Sequence, residues 1–301
     1  MISSLDPTRQ NFLAGLDQIQ QRLQTAQTEL TTGLQINKVS DAPSQIASLW
    51  QLNSQIDQTQ QIDTNLGQVQ TEVNTAESSL QSAVTLVDQA ATYGAQGASD
   101  LAGPTSRQDL ANNLGAILQQ LVSIANTTVQ GRYIFSGDSD QTQPYTLDLT
   151  QSSPVSAYQG SASTRQILGP DGTTFSVALT AQQIFDNSSS QNNVFTSISD
   201  LMQALQTNNS AAISGALANL QSANTYLNQQ LAFYGTVQDR VQGAVTFAQN
   251  YTTQLQTQLA GLQDANEAED ITNMTQAQTQ LQAALASEAQ LPRNTLFDFL
   301  T

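Results

Sequence analysis

The sequence predicts a mainly α-helical fold, a long coiled-coil helical bundle built from both termini with a small β-rich middle domain inserted between the helical arms. Two observations predict it. Apolar residues recur at alternating steps of four and three in three stretches before residue 125 and again from residue 241, and this heptad period is typical of packed helices. Between these regions the period is lost, and turn-forming residues separate short β-leaning runs.

The N-terminal helix is predicted by the first heptad stripe. A lone helix of this length is marginal in water, because ordering its backbone costs more than a half-solvated stripe returns. The stripe therefore needs a partner, either the C-terminal helix of the same chain or a neighbouring subunit. Its members are Phe12, Leu16, Ile19, Leu23, Ala26 and Leu30.

An interrupted segment, TTGLQINKVSDAPSQIA, follows this helix at Thr31–Ala47. Gly33 can end the first helix by adopting a positive φ. Ser40 or Asp41 can cap the next helix, and Pro43 fits a first helical turn. We interpret the segment as a joint between a polymerising end and a prefolded body. The residues of this inter-domain joint are Gly33, Asn37, Ser40, Asp41 and Pro43.

Two further stripes predict a helical bundle. They run from Ile62 to Val87 and from Leu110 to Ile124 with the same alternating steps. Trp50 lies next to Leu49 on the helix that leads into the first of them. We expect the large ring of Trp50 to pack at a helix interface.

The middle segment is predicted to be β-rich because Pro170-Asp171-Gly172 is a turn signal between two extended runs. The helical pattern returns at about residue 198 and continues to the C-terminus. The last stripes are Val241, Ala244, Ala248, Tyr251 and Leu255, then Met274, Ala277, Leu281 and Ala284, with Ile271 and Leu285 beside the seam.

These elements divide the chain into five expected segments. The two terminal-helix segments, expected to form an inner coiled coil, are 1–40 and 264–301. The helical bundle consists of 41–136 and 191–263, and the β-rich middle domain is 137–190.

The composition favours contact with other protein copies. Charged residues make up only 11% of the chain, against about 25% in typical soluble domains, so the surface is rich in amides and hydroxyls. The net charge is −16 and the eight basic residues are scattered. Nucleic acid and an anionic membrane surface are therefore not expected as partners.

The residues that carry most enzyme chemistry are missing. Histidine and cysteine are both absent from the sequence, which removes the commonest general base, the commonest metal ligand and any thiolate. Neither a Gly-rich phosphate loop nor a nucleophile elbow occurs. We therefore expect no enzyme activity, no cofactor and no metal. The acidic cluster Asp264, Glu267, Glu269 and Asp270 is interpreted as a solvated helix start, where carboxylates complement the dipole.

Four segments carry a resemblance to a known family. The joint resembles the bacterial flagellin signature in which a terminal helix ends in SG and SDDPAG precedes the next helix, although Ala42 replaces the usual second Asp and Gln35 a common basic residue. GRYIFSG at Gly131–Gly137 is similar to the GRYLFSG motif of the hook-associated protein 3 family. The segments Tyr158–Phe185 and Met274–Leu300, which ends in LFDFL, also resemble that family.

The resemblance implies a structural, non-enzymatic component of the bacterial flagellum that serves motility by linking hook to filament. The implied partners are further copies of the chain in a ring or helical assembly, hook-associated protein 1 on the hook side, flagellin on the filament side, and an export chaperone on the C-terminal part. The implied localisation is extracellular, in the flagellum, after type III export without a cleaved signal peptide. The N-terminus, MISSLDPTRQNF, accordingly lacks the charge and apolar core of a Sec signal.

The main alternative to a protein that links hook to filament is flagellin itself, since QLPRN at Gln290–Asn294 resembles a flagellin C-terminus. An enzyme carried on a flagellin-like scaffold would need a zinc motif such as HExxH, and the sequence has no histidine. A soluble coiled-coil scaffold or a secreted translocon helper would not predict GRYIFSG.

The resemblance and the stripes together select two sets of site residues. The family-motif residues are Gly131, Arg132, Tyr133, Phe135 and Gly137. The expected assembly interface consists of Phe12, Leu16, Ile19, Leu23, Leu30, Ile271, Met274, Leu281, Leu285, Leu296, Phe297 and Leu300.

Overall fold

The computed structural model describes residues 7–169 and 172–289. Within these residues the fold is mainly helical, as the heptad stripes predict, and the strands are short and form two-stranded antiparallel pairs. The helices are α1 (Pro7–Thr32), α2 (Ile46–Ala98), α3 (Pro104–Ala125), α4 (Ala181–Phe185), α5 (Val194–Gln206), α6 (Ser210–Gln263) and α7 (Glu267–Ala289), with a 3₁₀ turn at Ser190–Asn192. The strands are β1 (Thr128–Val129), β2 (Arg132–Tyr133), β3 (Gln166–Leu168) and β4 (Thr174–Ser176).

The chain divides into two compact units. The first, called the terminal unit, comprises residues 1–58 and 251–301, and the second, called the central unit, comprises residues 59–250. Helices α1 and α7 belong to the terminal unit, whereas α2 and α6 contribute residues to both.

In the terminal unit, α1 packs against α7 and the two connectors at their ends pair with each other. Leu34 and Asp264 form an isolated antiparallel bridge. Its hydrogen bonds run from Gln35 N to Gln263 O at 2.7 Å and from Ala265 N to Gly33 O at 2.9 Å. The connector between α1 and α2 is therefore hydrogen-bonded to the connector between α6 and α7.

The joint differs in detail from its sequence prediction. Gly33 has φ 70° directly after α1, as expected for a helix stop. However, α2 begins at Ile46, so neither Ser40 nor Asp41 caps it and Pro43 lies outside its first turn. The Asp41 carboxylate Oδ2 instead accepts backbone N–H groups upstream, from Asn37 at 3.0 Å and from Lys38 at 2.7 Å. Asp41 thus stabilises the connector itself.

Trp50 also differs from expectation, because 67% of its surface is exposed. The buried positions of this part of α2 are Leu49, Ile56 and Thr59, which lie on one helical face at steps of seven and three. Trp50 follows Leu49 directly and so points off that face. The prediction that it packs at a helix interface within the chain is wrong.

In the central unit, α2 and α6 run antiparallel in a regular register. Three side-chain hydrogen bonds join them, and every step forward along α2 is matched by an equal step back along α6. Their buried heptad residues form one hydrophobic core with α3, α5 and the middle segment. The bonded pairs are Gln70 Nε2 with Gln242 Oε1 at 2.8 Å, Gln238 Nε2 with Asn74 Oδ1 at 3.0 Å, and Asn224 Nδ2 with Asp88 Oδ1 at 2.6 Å.

A buried arginine closes the turns at one end of this core. Arg107 is 5% exposed, and its Nε donates to Gly97 O at 2.8 Å at the end of α2. Its other nitrogens donate to Ser99 O, to Asn208 Oδ1 and to Ser210 Oγ. One guanidinium therefore joins the α2–α3 turn to the α5–α6 turn, and its bond to Gly97 O pairs a carbonyl that the end of α2 leaves free.

The middle segment contains little regular strand. β1 and β2 form a tight hairpin whose two turn residues, Gln130 and Gly131, have φ 52° and 78°, the pattern that suits a right-twisted two-residue loop. β3 and β4 pair antiparallel with Ile167 opposite Phe175. Pro170 and Asp171 of the predicted turn between them lie outside the described residues, and Gly172 has φ 79°.

Candidate functional site

The predicted assembly residues fall into three groups. The seam residues of α1, together with Met274 and Leu281 of α7, are partly buried, and Ala26 and Ala277 are 2% exposed. Ile271 and Leu285 are 51% and 52% exposed beside the seam, and Leu13 of α1 is 45% exposed. Leu296, Phe297 and Leu300 lie outside the described residues. Most apolar residues of the two stripes therefore pack between α1 and α7, and a smaller number of apolar side chains face solvent.

The acidic cluster contains one carboxylate that sequence reasoning missed. Asp264, Glu267 and Glu269 are exposed, as expected for a helix start, but Asp270 is only 6% exposed. Asp270 lies four residues before Met274, so it falls on the same heptad stripe of α7, the stripe that packs against α1. Counting the stripe back from Met274 would have found it. The interpretation of the whole cluster as solvated is therefore wrong at Asp270.

Glu29 from the last turn of α1 meets this buried carboxylate. Its pKa is raised above its ordinary value by burial first, then by the charge of Asp270 and a hydrogen bond with it, and then by the charges of Asp41 and Glu269. Acidic groups from α1, the connector and α7 therefore converge on one place in the terminal unit.

The GRYIFSG motif ties the middle segment to α2 through ion pairs. Arg132 Nη2 lies 2.8 Å from Glu72 Oε1, and Arg165 Nη1 lies 2.8 Å from Glu72 Oε2. Arg132 also lies 3.7 Å from Asp140 through Nη1. The Glu72 side chain is 12% exposed, so this carboxylate holds two arginines in a largely buried setting. Sequence reasoning selected Arg132 but missed its partner Glu72 and Arg165, the second arginine that pairs with Glu72.

Phe135 of the motif lies at the centre of the aromatic core. It is fully buried, and its ring meets the rings of Phe185 and Tyr234 edge-on at centroid distances of 6.4 and 6.3 Å. Its carbonyl accepts the Ala181 N–H at 2.8 Å and the Tyr158 hydroxyl at 3.1 Å. The motif therefore organises packing in the central unit, and Tyr133 beside it is partly buried.

The tyrosines around Phe135 remain protonated at ordinary pH. Burial raises the pKa of Tyr158 to about 12, and burial also raises the pKa of Tyr234. For Tyr145, burial and then the Asp186 carboxylate, which accepts its hydroxyl at 3.3 Å, raise the pKa. These hydroxyls act as fixed hydrogen-bonding groups of the core.

Replacing Gly137 with alanine is expected to lower the free energy of unfolding of the central unit by about 1–3 kcal/mol. Gly137 has φ 63°, and an added Cβ would lie 2.5 Å from Ser163 O and closer still to Ser161 O. Urea-induced unfolding measures the change. The control is Gly215→Ala in α6, where a Cβ meets nothing within 4 Å and helix propensity favours alanine. Equal stability of the two variants would contradict the prediction.

Among the described residues, no three acidic side chains are arranged to hold a metal ion. No helix in the described ranges combines the length and hydropathy that a membrane span needs.

The fold and site define a class of protein: a mainly helical chain whose two end helices pair through a heptad seam, while a compact motif anchors the middle segment to the helical core. Two family models match the sequence, the bacterial flagellin N-terminal helical region over residues 6–140 and the bacterial flagellin C-terminal helical region over residues 217–300. The chain belongs to the bacterial flagellin superfamily, as the resemblance of its sequence segments predicted. No curated protein matches it significantly.

Solved structures share the fold. A protein assigned as a flagellar hook-associated protein from Vibrio parahaemolyticus is 17% identical, with a TM-score of 0.66 over 75% of this chain and 100% of that chain. Flagellar hook associated protein-3 from Legionella pneumophila is 16% identical, with a TM-score of 0.61 over 72% and 99%. The flagellar junction protein FlgL from Legionella pneumophila is 14% identical, with a TM-score of 0.55 over 65% and 99%.

Proposed function

We propose that this chain is the junction protein that links the flagellar hook to the filament by helical assembly of its subunits. The observation that carries the proposal is that this flagellin-superfamily chain has the fold of hook-associated and junction proteins across nearly the whole of their length. The flagellin superfamily is a structural family of the flagellum, and the proposed role is likewise structural rather than enzymatic.

The proposed assembly uses the terminal unit. The α1–α7 pair buries its seam within the chain, and the exposed Leu13, Ile271 and Leu285 remain for contacts with neighbouring copies. Head-to-tail contacts between such unlike surfaces generate a ring or a helical array. Further copies of the chain are the first partner, with hook-associated protein 1 and flagellin on the two sides of the junction and an export chaperone on the C-terminal part.

We also propose the five-segment division at residues 40, 136, 190 and 263, with the joint at Gly33–Pro43 separating the assembling ends from the body. The mutual hydrogen bonds of the Gly33–Gln35 and Gln263–Ala265 connectors support this placement, because they set both breaks side by side. Export through the type III apparatus without a cleaved signal peptide is part of the same proposal.

Deletion of the gene tests the role. Loss of a junction protein is expected to leave hooks without filaments and to shed free flagellin into the medium, since subunits are exported but have nothing to assemble on. Electron microscopy and immunoblotting of the medium read this out, and complementation with the wild-type gene is the control. Hooks without filaments and without free flagellin would instead identify the chain as the filament subunit, and normal filaments would contradict both roles.

A further inference from the structure

Asp270 has an unusual position for a carboxylate. It lies in the first turn of α7 on the seam that faces α1, it is 94% buried, and its Oδ2 has no hydrogen-bond partner in the described part of the chain. A buried carboxylate oxygen without a donor costs free energy. Asp270 Oδ2 therefore lacks a hydrogen-bond donor.

Glu29 can supply that donor. It lies in the last turn of α1 and lines the groove between α1 and α7, and the charge of Asp270 and hydrogen bonding to it are among the causes that raise the pKa of Glu29. Two ionised carboxylates cannot form such a bond, because neither carries a hydrogen. The pair is complete only when one of the two is protonated.

The surrounding groups favour a proton, rather than a basic side chain or a metal ion, as the group that neutralises charge in the Glu29–Asp270 pair. Asp41 of the connector and Glu269 of α7 add negative charge around Glu29. The nearby basic side chains are Arg22, which lines the same α1–α7 groove, and Lys38 of the connector, and neither forms an ion pair with these carboxylates among the described residues. The described acidic groups also do not form a metal-ligand set.

The helix ends decide which carboxyl holds the proton. Glu29 lies near the C-terminus of α1, where the dipole is negative and disfavours a second negative charge, whereas Asp270 lies near the positive N-terminus of α7. The neutral form therefore belongs on Glu29, which then donates to the Asp270 carboxylate.

We propose that protonated Glu29 donates a hydrogen bond to Asp270, and that the pair acts as a pH-sensitive latch that closes the α1–α7 pair at acidic pH and loosens it at neutral pH. The direction follows from the pKa of Glu29, which is higher in the folded terminal unit than in the unfolded chain. Its stabilising contribution is fully present below the unfolded pKa, near 4.5, and is lost as the pH rises through the folded pKa.

Hydrogen exchange of the full-length free chain tests the latch. Protection factors, which remove the intrinsic pH dependence of exchange, are compared from pH 4 to pH 8 for peptides from α1 and α7, with central-unit peptides as an internal reference. We expect the α1–α7 opening equilibrium of the wild type to rise as the pH rises across this range, because the pKa of Glu29 is raised in the folded terminal unit. Central-unit peptides are expected to stay constant over the same range.

Two variants and a control isolate the pair. Glu29→Gln carries an amide donor at every pH and is expected to remove this pH dependence, and Asp270→Asn is expected to do the same from the other side. Glu267→Gln removes a charge from the same turn of α7 at an exposed position and is expected to keep the wild-type pH profile. A flat wild-type profile, or an unchanged slope in both pair variants, overturns the latch. The readout uses the free chain, so this result is independent of the proposed junction role.

Discussion

Replacing Leu23 with aspartate is expected to abolish incorporation of the protein into flagella while leaving the bundle at Gly67–Val129 folded. Leu23 is partly buried on the α1 seam, next to the fully buried Ala26. A charge placed there must either lose water or break the seam, which we expect to weaken the α1–α7 pair by about 2–4 kcal/mol. Leu281→Asp on the facing helix is expected to have the same effect.

Circular dichroism and hydrogen exchange of the free variant measure the two parts of this prediction, and immuno-electron microscopy of flagella scores incorporation. The matched control is Gln20→Asp, which adds the same charge at an exposed position of the same helix. Normal incorporation of Leu23→Asp would show that the seam is not used in assembly. Loss of exchange protection in central-unit peptides would show that the two units do not respond independently.

Replacing Phe135 with alanine is expected to lower the free energy of unfolding of the central unit by about 3–5 kcal/mol. The ring is fully buried between those of Phe185 and Tyr234, so its removal loses apolar burial and leaves a cavity that rigid neighbours cannot fill. Because the Phe135 carbonyl also holds the start of α4 through Ala181, displacement of the backbone adds to the cost.

Urea-induced unfolding followed by near-ultraviolet circular dichroism measures this loss, since most of the tyrosines belong to the central unit. Leu168→Ala on β3 is the control, because Leu168 is 50% exposed and surface truncations usually change stability by less than about 0.5 kcal/mol. A change of similar size in both variants would contradict the central role of Phe135. The exchange protection of α1 and α7 is expected to be unchanged.

The two units therefore carry different tasks in the proposed function. The central unit is a conventional packed core, built on antiparallel α2 and α6 and locked by the GRYIFSG motif through Glu72 and Phe135. The terminal unit has mostly half-buried seam residues and a buried carboxylate, Asp270, whose Oδ2 has no hydrogen-bond partner among the described residues. Such half-buried end helices suit the proposed assembly, because their exposed apolar side chains remain for contacts with other copies.

The heptad pattern predicted helices correctly wherever a helix buries a single apolar face. It located α1, α2, α3, α6 and α7, because apolar residues at steps of four and three lie on one face of a helix and do not fit the two-residue period of a strand. It failed at Trp50, since a large apolar ring one position after a seam residue points to solvent whatever its size. It also passed over Asp270, because a charged residue on a seam is assigned to the surface by its chemistry alone.

The sequence by itself determined the helical class, the position of the break at Gly33 and membership of the flagellin superfamily, because periodicity, glycine conformation and motif spacing are local properties of the chain. Only the tertiary structure decided which residues meet: Glu72 with Arg132 and Arg165, Arg107 with the α5–α6 turn, and Glu29 with Asp270. These contacts join residues up to 241 positions apart. Their energies depend on burial and on the orientation of both partners, which no local pattern of residues contains.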